Sequence, residues 1–236
     1  MKVLFEWARR QVWWRLPGER TVWDDMFRGH ARVDVLSHER PRLRTGLLDN
    51  WTLQSLAMCP AGGRLVVRQE PSAVVLTVLH PKYLEQNSRN RVEIRVDGSG
   101  DPFLYFELIL FDAQAYPGFG VVAFYRAAQA AQRVGLTRIE LLAAGGQGYK
   151  YSWTRPFNGY HSWARFGFDA PLWPTTLQKC AQVPHLANCR TLLDIIAVDP
   201  GWWKANGDGC DMAFDLRQGS RSWHTLLTYL KERGLK

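Results

Sequence analysis

A loop with one proline and two glycines stands directly before a long amphipathic run. It reads AYPGFG over residues 115 to 120, and no helix breaker follows until Gly135. A loop that leads straight into a helix presents unpaired backbone N–H groups and the positive end of the helix dipole at one point. Such a point binds phosphate groups, and glycines let the backbone approach them closely. The alternative is a plain turn that caps the helix.

The loop matches neither of two common nucleotide-binding motifs. A dinucleotide-binding fingerprint needs a third Gly after an early parallel strand, and a P-loop needs Gly-Lys followed by Ser or Thr. Both features are missing from the sequence around residues 115 to 125. Taken alone, the loop favours a capping turn, so its surroundings decide the interpretation.

A single carboxylate interrupts the apolar segment FLYFELILF, residues 103 to 111. Burying an unpaired carboxylate is costly, and a raised pKa would suit a general base near neutral pH. The alternative is that Glu107 simply faces solvent. Strand alternation argues against full solvation, since it places four apolar or aromatic residues on the same face: Phe103, Tyr105, Ile109 and Phe111.

The elements around these residues define the fold class. Alternating or β-branched segments predict strands at 64–70, 73–80, 91–97, 103–111, 137–144 and 210–216. Helices are predicted at 2–16, 49–58, 120–134, 158–166 and 223–234, and one or two more, with a polar loop, within 172–209. Four successive strands imply an antiparallel sheet, and a strand–helix–strand unit then adds a parallel strand. The prediction is an α/β (α+β) domain with a mixed, mostly antiparallel sheet flanked by helices.

The order of these elements resembles the core of the GNAT superfamily of N-acetyltransferases. Residues 64 to 170 carry the likeness, through a strand, a G-x-G loop, a helix, a second strand, a short helix and Gly-Phe. The family's loop reads Gln/Arg-x-x-Gly-x-Gly/Ala. Here Ala115 stands where Gln or Arg is usual, and Gln114 comes one position earlier. The resemblance divides the chain into a helical extension over 1–63, packed on the core, and an acyltransferase domain over 64–236 with an insertion before its last strand.

The resemblance implies that acetyl-CoA, or another acyl-CoA, is the cofactor. In the family, backbone amides of the loop hold the pyrophosphate, and N–H groups at the end of the splayed preceding strand hold the thioester carbonyl. The positions that correspond in this chain are Ile109, Leu110, Phe111, Gln114, Tyr116, Pro117, Gly118, Phe119, Gly120, Val121, Asn158 and Trp163.

The resemblance also implies catalytic roles. Glu107 would accept a proton from the acceptor amine, directly or through water. The family's Tyr-x-x-x-Gly-Phe supplies a tyrosine that protonates the leaving thiolate, but Trp163 stands at that place here. Tyr160, one helical turn earlier, and His161 are the nearest replacements.

The charge of the chain does not decide which molecule carries the acceptor amine: a protein, an aminoacyl-tRNA or a small molecule. The net charge is +8, with 23 Arg against 7 Lys, but no segment is basic enough to indicate a nucleic-acid tail. Two other classes stay open: a catalytically silent module that binds CoA or a partner, and an effector or toxin domain docked by its basic N-terminus.

Several classes are disfavoured by the sequence. Apolar runs fall short of the roughly 18 residues of a spanning helix, and the N-terminus lacks a secretory pattern. Four scattered cysteines do not suggest a disulfide framework, so we expect a reducing, cytoplasmic setting. The spacing C-x4-H-x3-C from Cys180 is not that of a structural zinc site, and no metal is predicted.

Overall fold

The computed structural model describes residues 26–85, 89–112, 115–148 and 157–235. Its strands are β1 (Arg32–Val35), β2 (Arg42–Leu43), β3 (Gly46–Leu47), β4 (Arg64–Glu70), β5 (Ala73–Leu79), β6 (Asn90–Val96), β7 (Pro102–Leu108), β8 (Arg138–Gly146) and β9 (Asp208–Asp215). Its α-helices are α1 (Asn50–Leu56), α2 (Phe119–Arg133), α3 (Gly159–Arg165), α4 (Pro174–Ala181), α5 (Leu192–Val198), α6 (Pro200–Asn206) and α7 (Arg221–Glu232). The helix predicted at 2–16 lies outside the described residues.

Seven strands form one mixed sheet in the order β1-β4-β5-β6-β7-β8-β9. Strands β4 to β7 are antiparallel neighbours, whereas β1 with β4 and β7 with β8 are parallel pairs. The α+β class and the mostly antiparallel sheet are therefore as predicted. None of the helices in the described segments is long and apolar enough to cross a membrane.

The strand β1 was not predicted, because residues 17–63 carry several prolines and glycines. It pairs in parallel with β4 through Arg32↔Arg64 to Val35↔Val67. The segment before residue 64, expected to be helical, thus contributes an edge strand to the main sheet.

Sequence analysis also missed α6, which lies in a stretch interpreted as a polar loop. Asp199 precedes it and its side chain accepts a hydrogen bond from the N–H of Trp202, while Pro200 occupies the first helical position. Proline is favoured there because its missing N–H would have no helical partner. The dipeptide Pro-Gly therefore starts a helix here and does not make a turn.

The core is organised around α2, whose alanine-rich face lies on the sheet. Phe124 is fully buried at its centre and its ring contacts five others: Phe106, Trp163, Phe166, Phe168 and Phe214. These rings come from β7, α3, the segment that follows α3, and β9. Phe124 of α2 therefore links strand β7 to α3 and β9.

We predict that Phe124→Ala lowers the free energy of unfolding by about 3–5 kcal/mol, because it removes a fully buried ring from a packed cluster. Urea denaturation followed by circular dichroism measures the change. Leu36→Ala, at a side chain that is 60% exposed, is the control and should change stability by less than about 0.5 kcal/mol. Equal effects of the two variants would contradict this description of the core.

Candidate functional site

The parallel strands β7 and β8 pair over only three residues. Their register runs from Leu104↔Ile139 to Phe106↔Leu141 and then stops. Beyond that point β7 continues beside β6, while β8 continues to Gly146 beside β9. The two strands therefore separate at their carboxyl ends, which is the arrangement that the family resemblance implies.

A β-bulge at Glu107 lies where the separation begins. Arg91 of β6 faces Leu108, and the next residue, Val92, faces Phe106. Glu107 is therefore an extra residue in β7 with no partner in the register. Bulges bend a strand and increase its local twist, and they redirect side chains. The bend accounts for the departure of β7 from β8.

The bulge also changes which face the following residues occupy. Simple alternation placed Ile109 and Phe111 beside Glu107, but both pack against the core, where the Phe111 ring meets Phe119 at 5.1 Å. Glu107 points the opposite way, towards Arg91. The prediction that these residues share one face was wrong, because alternation fails across an inserted residue.

We call the face that Glu107 shares with Arg91, Glu93, Arg95 and Tyr105 the polar face. Glu107 is 46% exposed there, and its Oε2 forms an ion pair with Arg91 at 2.5 Å from Nε, while the Nε–H of Arg91 donates to Oε1 of Glu93 at 2.7 Å. The aromatic rings expected on this face are covered by guanidinium groups, as Arg95 lies 3.8 Å from the ring centroid of Tyr105. The surroundings of Glu107 are therefore charged and not apolar.

Burial raises the pKa of Glu107, and the neighbouring Glu93 carboxyl raises the pKa further, while the charge of Arg91 opposes both. A carboxyl with a raised pKa takes up a proton more readily near neutral pH than an ordinary glutamate does. The environment is thus suited to a general base, although for a different reason from the apolar one that sequence analysis proposed.

In the loop at residues 115–120, Gly118 is the residue that caps α2. Its φ of 91° lies in the left-handed region, which glycine adopts without steric cost. No side chain caps this end of the helix. Phe119 donates its N–H to the carbonyl of Tyr116, but among the described residues the N–H groups of Gly120 and Val121 have no acceptor. Two amides at the positive end of a 15-residue helix therefore lack an acceptor in the described chain, and Gly120 is partly exposed whereas Val121 is buried.

The second glycine has a packing role as well. A Cβ on Gly120 would lie 3.0 Å from Cε2 of Phe111. Its small size therefore accommodates the Phe111 ring, and a phosphate is not needed to explain it. Tyr116 and Pro117 lie exposed on the outer side of the loop, and Gln114 falls outside the described residues.

Not every backbone amide expected at the end of β7 is available. Leu110 donates its N–H to Oδ1 of the buried Asn90 at 2.8 Å. Asp112 donates to the carbonyl of Tyr83 at 3.0 Å, and Phe111 bridges to Leu84. These contacts fix the segment after the bulge to the β5–β6 side and so maintain the separation from β8. The amide of Ile109 has no acceptor among the described residues.

Helix α3 lies across the separation on the core side. Its first residues sit against the end of β8, through the bridge Gly145↔Asn158, and Trp163 reaches Phe106 of β7 at 5.7 Å. A Cβ on Gly145 would lie 2.0 Å from the carbonyl oxygen of Phe157, so this close approach requires glycine. Trp163 therefore contacts β7 at the last residue that pairs with β8.

The two proton donors expected from α3, Tyr160 and His161, lie in different surroundings. Tyr160 donates its hydroxyl to the carbonyl of Lys204 at 2.6 Å, which ties α3 to α6 and engages the proton that catalysis would need. Burial lowers the pKa of His161, and the charges of Arg165 and Lys204 lower it further. His161 is accordingly neutral at pH 7 and is a poor proton donor.

A separate cavity of about 890 Å³ opens at the start of β8, away from the gap. Each arginine in its lining is paired with a carboxylate: Arg138 with Asp97, Arg217 with Asp215, and Arg221 with Asp194. In the described parts of the chain, no group of three or more His, Cys, Asp or Glu side chains is arranged to hold a metal ion.

Comparison of the sequence with models of known protein families finds no match, and comparison with curated proteins finds none. The family resemblance therefore depends on the loop, the short helix and the order of elements in the sequence.

We predict that Asn90→Ala lowers the free energy of unfolding by about 1–3 kcal/mol, because the N–H of Leu110 loses its only acceptor in the described chain. The matched control is Asn188→Ala at an exposed position, with an expected change below about 0.5 kcal/mol. Urea denaturation measures both, and a cost for Asn90→Ala no larger than the control would show that this anchor contributes nothing.

Proposed function

We propose that the chain is an acyl-CoA-dependent N-acyltransferase of the GNAT type, with acetyl-CoA as the donor. The observation that carries the proposal is the separation of β7 from β8 at a bulge that presents Glu107. Bulges beside active sites commonly serve to aim a side chain. The amides of Gly120 and Val121, at the start of the helix that follows β7, have no acceptor in the described chain, which supports a site for the pyrophosphate.

In the proposed reaction, the acceptor amine attacks the acyl carbon, so that a C–N bond forms as the C–S bond of the thioester breaks. The surplus proton of the amine passes to Glu107, and the sulfur leaves as a thiolate. A thiol has an ordinary pKa of about 8.5, so the thiolate can take its proton from water. We assign no protein acid to this step, because the hydroxyl of Tyr160 is engaged with Lys204.

One observation favours a second candidate, a module that binds CoA without catalysis. The residue at the place of the family's tyrosine is Trp163, which packs in the aromatic core against Phe106 and Phe124. Binding without turnover would retain the helix amides and the gap but would need no base. The two candidates differ in whether CoA thiol is released.

We predict that acetyl-CoA stabilises the protein and that the chain releases CoA thiol when an amine is added. A ligand at a concentration one hundred times its dissociation constant contributes about 2.7 kcal/mol, which a thermal denaturation experiment detects. Thiol release is followed with a thiol-reactive chromophore against a panel of amines: a lysine peptide, an aminoacyl-tRNA and a small polyamine. Stabilisation without thiol release would favour the silent module, and no stabilisation would contradict both candidates.

Glu107→Gln should slow thiol release by about 10²–10⁴-fold, because the general base is lost, while binding of acetyl-CoA is retained. The matched control is Glu140→Gln, which removes an arginine-paired carboxylate on the neighbouring strand β8 and should leave the rate within about twofold, because surface ion pairs contribute little. If Glu107→Gln turns over at the wild-type rate, Glu107 is not the base.

A further inference from the structure

A carboxylate that the proposed mechanism does not use lies beside Glu107 on the polar face. Glu93, on the neighbouring strand β6, has a side chain only 6% exposed. Two arginines flank it on the same strand, since residues 91, 93 and 95 alternate onto one face. Arg91 contacts its Oε1 at 2.6 Å and Arg95 donates to its Oε2 at 2.7 Å.

These contacts hold Glu93 in its charged form. Burial alone would raise its pKa, but the interactions with Glu107, Arg95 and Arg91 outweigh burial, and the pKa of Glu93 is lowered. Arg95 is itself fixed over the ring of Tyr105. Glu93 is therefore a buried, fixed anion with two charge-assisted hydrogen bonds.

One guanidinium joins the carboxyl groups of Glu93 and Glu107, since Arg91 lies 2.6 Å from Oε1 of Glu93 and 2.5 Å from Oε2 of Glu107. The two carboxyl groups are therefore close, and Glu93 adds to burial in raising the pKa of Glu107. Glu93 is the member held as an anion by two arginines, whereas Glu107 is the more exposed member and contacts only Arg91 of the two. Glu93 therefore stays an anion, and Glu107 is the member whose protonation can change.

We infer that Glu93 is a positioning residue, whose fixed negative charge aims the Glu107 carboxyl and sets its protonation for proton acceptance from the amine. This inference rests on the proposed function for its catalytic part. Arg91 acts in the opposite sense, because it touches both carboxylates and also Glu70 of β4 at 3.3 Å. The balance between Glu93 and Arg91 determines how readily Glu107 holds a proton.

The charged groups near Glu107 come from three strands. On β6 they are Arg91, Glu93 and Arg95, and β4 contributes Glu70 through Arg91. On β8 the nearest is Glu140, which lies opposite Tyr105 and is paired with Arg138. Of the carboxylates in the described structure, Glu93 is the buried one that contacts the same guanidinium as Glu107, so its removal should have an effect that removal of Glu140 does not.

The test is a titration of the full chain with ¹³C-labelled glutamate side chains, followed by NMR. The Glu107 signal is assigned by its loss in Glu107→Gln. We expect Glu93→Gln to lower the titration midpoint of Glu107, since an anion beside it is removed, and Arg91→Gln to raise it, since a cation is removed. Glu140→Gln should leave the midpoint unchanged.

The same variants are assayed for acyl transfer across pH. With Glu93→Gln the acid limb of kcat/KM should move to lower pH and the plateau should fall, because Glu107 becomes a weaker base. With Arg91→Gln the limb should move to higher pH. A residue that only maintained the fold would change stability without moving the limb in opposite directions in the two variants.

An unchanged or raised Glu107 midpoint in Glu93→Gln would overturn the inference, as would a pH profile that does not follow the midpoints. If Glu93→Gln fails to fold, Arg91→Gln provides the test alone, and an unmoved midpoint there overturns the inference equally. Midpoints that move as expected, in a protein that transfers no acyl group to any amine, would support the electrostatic coupling and contradict the proposed function.

Discussion

The inserted residue at Glu107 governs how the two halves of the sheet meet. Up to Phe106, β7 is paired on both sides, with β6 and with β8. One extra residue then bends β7, and the segment after it is fixed to the β5–β6 side by the hydrogen bond from Leu110 to Asn90. Because β8 continues in its own direction beside β9, a gap opens within a sheet that is otherwise continuous.

The helices around the gap follow from the same geometry. The chain leaves the end of β7 and enters α2 through a loop in which Gly118 has a positive φ. Phe111, redirected to the core by the bulge, packs on Phe119 and against Gly120. The start of α2 is thereby held beside the end of β7, and α3 lies across the gap from the end of β8 to Phe106.

Periodicity predicted the central elements well, because strands β4 to β8 and helix α2 alternate or repeat over enough residues to be distinguished. The strand β1 and the helix α6 were missed, since proline and glycine near them also fit turns. The bulge left no signal in the sequence. Simple alternation therefore misplaced Ile109 and Phe111, and it described the surroundings of Glu107 as apolar when Arg91 and Glu93 supply charge from the next strand.

Chemical partners across strands are equally hidden in a single sequence, because they depend on register. Arg91, Glu93 and Glu107 meet only through the pairing of β6 with β7. Likewise, Tyr160 has the right residue type for an acid, but its hydroxyl bonds to the carbonyl of Lys204 on a helix that the sequence did not predict.

The central claim is that the diphosphate of a coenzyme thioester binds the amides at the start of α2. The most direct measurement is a titration of ¹⁵N-labelled protein with CoA, followed through the backbone amide signals. The account predicts saturable downfield shifts of the Gly120 and Val121 amides, with smaller changes at Trp163 and Ile109. Signals that stay unmoved at saturating CoA, or changes confined to the cavity at the start of β8, would contradict it.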